Sequence, residues 1–378
     1  DVLGVSSNYG IAGWTNNDET LLIYDKNDLW AINVNGKTAK RITDGYINHC
    51  VYRLVSLSFD TVSRTFQREK GKSINFNNSN LFKYNTDTEN GYRILKPDGK
   101  WYTIEIGEMA VSNIQKASNN NTYVYLTQRY DKPPTIQITD KNASNPKSLV
   151  QSNLCHYNYL WGYTEVVEYQ NSAGESLKGI LHYPAGYENG KKYPMVVSIY
   201  DKQLHYLHSY INPSEKNMIG FNVTNFTTKG YFVLRPDIVY EKNDPGGSAM
   251  DCTVAATKAV IQKGIVKEDK IGLIGHSFGG YETNIIITQT NLFAAAVSGA
   301  GISDTTSFYL SIGEITGVPE IFRFENQQWR MKQPLFDNVE SYLQNSPVIK
   351  AKQVKTPLLL WTGERDNQVN YNQSVSYY

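Results

Sequence analysis

The chain has 378 residues, enough for two or three domains, and its 37 Lys and Arg against 36 Asp and Glu leave a formal charge of +1. That balance excludes nucleic-acid or anionic-membrane binding driven by overall charge. A hydrophobic content of 40% with only 19% charged residues excludes a charge-dominated disordered chain. No apolar run reaches the ~18 residues of a membrane span, and residues 1–9 show neither the basic start nor the apolar run of a signal peptide. The compartment stays open, with export slightly favoured over the cytoplasm.

In chain order, short apolar-alternating runs come first, at residues 21–24, 29–34 and 39–42, parted by polar turns that end in Asp44-Gly45. The pattern returns at residues 51–59, 73–76, 80–84, 101–106, 122–128, 135–139 and 147–151. Strands this short and this regular suggest a propeller or a sandwich. Residues 14–45 read as one blade, and about three blades fit into residues 1–155. A ring usually needs four to eight, so this part is expected to be the last blades of a larger β-propeller.

Residues 156–378 follow another grammar. Two strands at 163–168 and 177–183 flank a turn. The continuously apolar runs at 195–200, 231–235, 271–275, 294–298 and 357–362 suit strands buried on both faces of a mostly parallel sheet. Apolar residues three and four apart predict helices over 247–263, stopped by Gly264, and over 281–290. Pro213 and Pro236 are expected in loops beyond strand ends. Strands alternating with helices define an α/β domain, with helices on both faces of its sheet. Cys50, Cys155 and Cys252 are too scattered for a disulfide framework or a zinc site and are expected to be partly buried thiols. No metal and no organic cofactor is implied.

The chemistry sits at Gly275-His276-Ser277-Phe278-Gly279-Gly280, placed between an apolar strand and a helix. A G-x-S-x-G turn in that setting is a nucleophile elbow: a cramped bend that projects a serine hydroxyl above the sheet. Gly275 and Gly279 leave room for the bend, and Ser277 at the head of a helix favours developing negative charge. His276 reads as a wall of the site. A serine needs a histidine to take its proton and a carboxylate to orient that histidine. The chain order on this scaffold is Ser, then acid, then His. Asp366 follows the last apolar run in a polar loop and is the candidate acid, with Glu364 and Asp304 behind it. All six histidines precede Asp366. His205 and His208 share a Tyr-rich loop and read as surface or packing groups. Oxyanion donors are expected from the Phe278 amide and from Tyr200, at the end of an earlier strand.

These residues resemble the prolyl oligopeptidase family of serine peptidases, in its dipeptidyl-peptidase and acylaminoacyl-peptidase branches. The stretches that carry the likeness are residues 192–200, 230–237, 269–281, 291–300, 345–347, 356–360 and 363–369. The resemblance implies a propeller ahead of an α/β-hydrolase domain, with Ser277 as nucleophile, Asp366 as triad acid, and the Tyr200 hydroxyl with the Phe278 amide as oxyanion donors. It also implies an enclosed site that takes short peptides, and Val369, Phe308 and Tyr309 as walls of the pocket for the residue before the cut. The loop Asp201-Lys202-Gln203-Leu204-His205 departs from the Gly-Gly-Pro turn of many members. The family's histidine would follow Asp366 beyond Tyr378, so the chain is expected to be a fragment, inactive alone. Homodimers are common in the family. An esterase on the same scaffold, or a non-catalytic propeller–hydrolase binding protein, are the alternative readings.

Overall fold

Alternating apolar residues joined by tight polar turns build the N-terminal half as small antiparallel sheets. The computed structural model describes residues 9–15, 18–55, 73–140, 142–217 and 219–378. The outer part of the run expected at 51–59 lies outside these described residues. The chain divides into two units, one running to Tyr157 with His208–Tyr210, the other formed by Asn158–Leu207 and Ile211–Tyr378.

In the first unit, β1 (Ile11–Thr15), β2 (Thr20–Tyr24), β3 (Leu29–Asn33) and β4 (Ala39–Arg41) form an antiparallel meander. A second meander starts with β5 (Val51–Leu54). The short β6 (Ser73–Ile74) then returns to run parallel to β1. β7 (Asn80–Asn85), β8 (Asn90–Leu95) and β9 (Trp101–Gly107) complete the second sheet, in the order β5-β7-β8-β9. The third is β10 (Ala110–Lys116), β11 (Tyr123–Arg129), β12 (Lys132–Ile138) and β13 (Lys147–Gln151). β1, β8 and β10 are not legible from alternation. β1 and β10 each carry a bulge that breaks the period of two, between Ile11 and Gly13 and between Ser112 and Gln115, while the register shift at Tyr92 and Arg93 of β8 comes from an extra residue, Ile104, in β9. In β8 the sequence Asn90-Gly91 looks like a turn. A Cβ on Gly91 would strike the Glu105 carbonyl of β9, so the glycine marks a close strand approach.

A buried carboxylate organises the first meander. Asp28, 0% exposed, accepts the Thr43 hydroxyl (2.6 Å), the Tyr46 amide (2.9 Å) and the Gly45 amide. The Asp44-Gly45 turn read from the sequence is thus tied back to the start of β3. Leu22, Leu29, Tyr52 and Phe82 close one small core, and Tyr92, Ile104, Val111 and Tyr125 another.

The second unit has one seven-stranded sheet: β14 (Thr164–Gln170), β15 (Ser176–His182), β16 (Tyr193–Ile199), β17 (Phe232–Pro236), β18 (Val266–His276), β19 (Ala295–Gly299) and β20 (Leu358–Trp361). The order is β14-β15-β17-β16-β18-β19-β20, with β14 and β15 antiparallel and β17 through β20 mutually parallel. The expected mostly parallel α/β sheet is present. Pro236 differs from expectation: it is the last residue of β17, opposite Gly179, where a missing amide ends the ladder harmlessly.

Helix α1 (Val223–Thr227) links β16 to β17 and α2 (Pro245–Gln262) links β17 to β18. The Asp244 side chain caps α2 on the Gly247 amide (3.0 Å), and Gly264 ends the segment at φ 72°. α3 (Phe278–Ile286) follows β18, beginning three residues before the expected 281, because its first turn is the elbow itself. α4 (Thr305–Tyr309), α5 (Ile321–Glu325) and α6 (Val339–Gln344) lie between β19 and β20, and α7 (Asn372–Tyr377) comes last. The core collects Val197, Leu234, Ile271, Tyr281, Phe324, Trp329 and Tyr342. Cys50 and Cys252 are buried, but Cys155 is exposed, because it lies in a short helical turn at the end of the first unit. Among the described residues no helix is long and apolar enough to cross a membrane.

Candidate active site

From β16 the chain crosses outward to β17, then returns over β16 to β18, so the two crossovers leave β16 in opposite directions. A crevice opens at the carboxyl ends of β16 and β18, which is where open α/β sheets place their ligands. Tyr200 follows β16 there and Ser277 follows β18, with Ile199 in register with Gly275.

Ser277 takes φ 58° and ψ −118°, a backbone conformation that costs an L-residue on the order of 1–3 kcal/mol. Two contacts hold it: its amide donates to the Gly299 carbonyl of β19 (2.8 Å), and its own carbonyl accepts the Tyr281 amide (3.0 Å). The glycines are there for room. A Cβ on Gly275 would collide with the Gly279 carbonyl, and one on Gly279 with the Ile199 carbonyl. Gly280 is pressed against the Gly299 carbonyl in the same way. Among the described residues no side chain caps α3, whose first amide is that of Phe278.

Ser277, His276, Gly275 and Tyr200 border one cavity of about 490 Å³. Tyr200 is 42% exposed, and its hydroxyl accepts from Gln328 Nε2 at 3.5 Å. The His276 ring stacks on Trp361, centroids 5.3 Å apart; burial lowers its pKa, while the charge of Asp366 opposes that shift.

Asp366 lies on the same sheet edge as Ser277. His276, Gly299 and Trp361 form one register row across β18, β19 and β20, and both Ser277 and Asp366 come after that row. Its Oδ1 accepts the amides of Gln368 (2.9 Å) and Val369 (3.0 Å), which anchors the carboxylate in its loop. The runners-up have other roles: Asp304 caps α4 on the Thr306 amide (2.9 Å), and Glu364 is exposed.

The three expected pocket walls lie elsewhere. Val369, Phe308 and Tyr309 are all under 6% exposed and belong to the main core. None of them borders the Ser277 cavity. Phe308 instead borders a smaller cavity of about 210 Å³ beside Asp366. Phe278 is also core: its ring packs edge-on to Trp329 (5.2 Å) and Tyr240 (5.9 Å).

His205, expected to be a surface or packing group, borders the Ser277 cavity together with Lys202, Tyr206 and Arg235. Their signal was adjacency, since Lys202, His205 and Tyr206 share the loop that follows Tyr200. Burial lowers the pKa of His205. His208 is buried in the other unit, its Nε2 2.5 Å from the Thr88 carbonyl oxygen.

The departure from Gly-Gly-Pro has a structural counterpart. Asp201 adopts φ 39°, a conformation that favours glycine. It pairs with Arg330 at 3.6 Å, both side chains being under 10% exposed. The Arg330 guanidinium lies 4.1 Å from the Tyr240 ring centroid, and the Tyr240 hydroxyl donates to Glu282 Oε1. Burial pushes the Asp201 carboxyl up to about 6 and the Glu282 carboxyl up to about 8. Among the described residues no group of three or more His, Cys, Asp or Glu is placed to hold a metal ion.

A serine elbow on a parallel sheet, with a tyrosine at the neighbouring strand end and an anchored carboxylate two strands away, defines an α/β-hydrolase scaffold. Residues 240–378 match the prolyl oligopeptidase family. It is 24% identical over 288 residues to the uncharacterized peptidase YuxL of Bacillus subtilis, covering 75% of this chain and 43% of that protein. To dipeptidyl aminopeptidase BIII of Pseudoxanthomonas mexicana it is 30% identical over 160 residues, 41% of this chain and 22% of that one. Porphyromonas gingivalis dipeptidyl peptidase 4 superposes with a TM-score of 0.67 at 16% identity, over 97% of this chain and 49% of that one. Pyrococcus horikoshii acylaminoacyl peptidase gives 0.64 at 18%, over 97% and 56%. The fold is that of β-propeller blades followed by an α/β hydrolase. The chain thus spans under half of these curated relatives and about half of the solved ones.

Proposed function

We propose that the protein is a serine peptidase that cuts short peptides through an acyl-enzyme. Ser277 attacks the scissile carbonyl; the Tyr200 hydroxyl and the Phe278 amide stabilise the oxyanion; Asp366 orients the histidine that shuttles the proton. The observation that carries this reading is the strained Ser277 elbow, facing the same cavity as Tyr200. The family order of Ser, acid, His assigns the base to a histidine later than Asp366, not to His205 or His276. Residues 1–378 without that imidazole are expected to be inactive. Its relatives include a dipeptidyl aminopeptidase and an acylaminoacyl peptidase, which supports peptides with free or modified amino ends as first substrates.

The test is a fluorophosphonate probe on the natural protein, read beside turnover of peptide and short acyl-ester panels. Ser277→Ala is expected to remove labelling and to lower peptide turnover by at least about 10³-fold. Labelling that persists in Ser277→Ala, or none in the parent, would overturn the assignment. Ester turnover without peptide turnover would move the protein to the acyl hydrolases.

A further inference from the structure

The Ser277 cavity has a neighbour of about 490 Å³, and the two share Asp201 and Lys202. Lys202, Lys242, Arg330 and Lys332 border the second cavity, with Asp201 and Glu325 as its acids. In a chain of net charge +1 this is a local excess of positive charge.

The nearby acids are already answered. Asp201 pairs with Arg330, and Glu325 Oε1 accepts the Tyr309 hydroxyl (2.6 Å). Asp237 Oδ1 accepts the amides of Gln203 and Leu204; burial raises the carboxyl's pKa, and these amides and the charge of Lys202 oppose that shift. Glu282, raised by burial, is mostly neutral at pH 7. Lys202, Lys242 and Lys332, by contrast, make no ion pair among the described residues. Arg235 adds a further cation on the Ser277 side, its guanidinium 5.0 Å from the Tyr206 ring centroid. Burial lowers the pKa of His205 and His276, which then offer neutral hydrogen-bonding edges.

We propose that these adjoining cavities, which share Asp201 and Lys202, form a subsite for acidic side chains of the peptide, within a few residues of the bond to be cut. Lys202 is its central cation because it borders both cavities. The proposal takes its ligand class from the peptidase reading, but it is measured by binding and does not need turnover. Exposed lysines act mainly through screened attraction, so the selectivity is modest and salt-dependent.

The experiment uses fluorescein-labelled eight-residue peptides that differ only in carrying two Glu, two Gln or two Lys residues. Their binding to the natural protein bearing Ser277→Ala is followed by anisotropy at about 0.1 M and 0.5 M salt. The Glu peptide is expected to bind five- to tenfold more tightly than the Gln peptide at low salt, the gap narrowing at high salt. Lys202→Glu with Lys332→Glu is expected to erase the gap. Lys332→Glu alone, at an exposed position, narrows it without touching the fold. Equal binding of the Glu and Gln peptides, or a gap that survives both substitutions, would overturn the subsite. Displacement of the Glu peptide by sodium phosphate as readily as by unlabelled Glu peptide would overturn a site for peptide carboxylates. Absence of Ser277 labelling in the parent protein, with the charge preference intact, would sink the peptidase reading alone.

Discussion

Asp28 in the first unit and Glu282 in the second are both carboxylic acids with no exposed surface, yet they are buried in opposite ways. Asp28 is surrounded by donors from its own meander, all within 18 residues of it. Glu282 has one hydrogen bond, from Tyr240, 42 residues away, and its Oε2 has no partner among the described residues. A satisfied buried acid fixes a turn. An under-satisfied one holds its proton, and it does so one helical turn past the nucleophile, beside the pair that supports the Tyr200 loop.

Three measurements can break or sharpen this contrast. The largest effect is expected from Asp28→Ala, which strands the buried Gly45 amide and Thr43 hydroxyl and removes the acceptor of the Tyr46 amide. A loss of about 3 kcal/mol is expected, with faster hydrogen exchange confined to the first unit. Exchange rising equally in the α/β unit would show that the acid does more than fix its meander.

Gly275→Ala drives a methyl group into a backbone carbonyl that has little freedom to retreat. The expected loss is about 2 kcal/mol, located in β18 and α3, together with weaker probe labelling of Ser277. Full labelling at unchanged stability would mean that the elbow is less cramped than the geometry implies.

The smallest effect concerns pH. The folded-state value of Glu282, about 8, lies above its reference of 4.5, so the folded protein holds this proton more tightly than the unfolded chain. That contribution is whole below about 4.5 and is lost as pH rises to and through 8. Glu282→Gln, which still accepts from Tyr240 but does not titrate, is expected to flatten the decline of Tm over that window. Asp201, raised to about 6, leaves a smaller residual slope. A parent and variant with parallel Tm profiles would remove Glu282 from the account.

Much of this architecture could be read before any coordinates. The five unbroken apolar runs of the second unit became its parallel strands β16 to β20, because strands of a parallel sheet are written as unbroken apolar stretches, and the two runs ahead of them became the antiparallel β14 and β15. The elbow was legible because its glycines, serine and helix start lie within six consecutive residues. In the first unit, alternation found the regular strands and missed β1 and β10, whose bulges shift side chains to the other face, and β8, which opens on the turn-like Asn90-Gly91. The aromatic pair Phe308-Tyr309 was placed at a pocket by resemblance. The structure uses both rings to pack against Phe324, because a broad apolar ring gains more from full burial than from lining a wet cleft.

The amino-acid order alone determined which residue is forced out of a tight glycine bend and which acid follows the last strand, since both depend on neighbours in the chain. Only the tertiary structure decided what surrounds them. The Asp201–Arg330–Tyr240–Glu282 linkage joins residues up to 129 positions apart in sequence, on four separate segments. No local pattern encodes such contacts, because they exist only once the sheet order brings the ends of β16, β17 and β18 together.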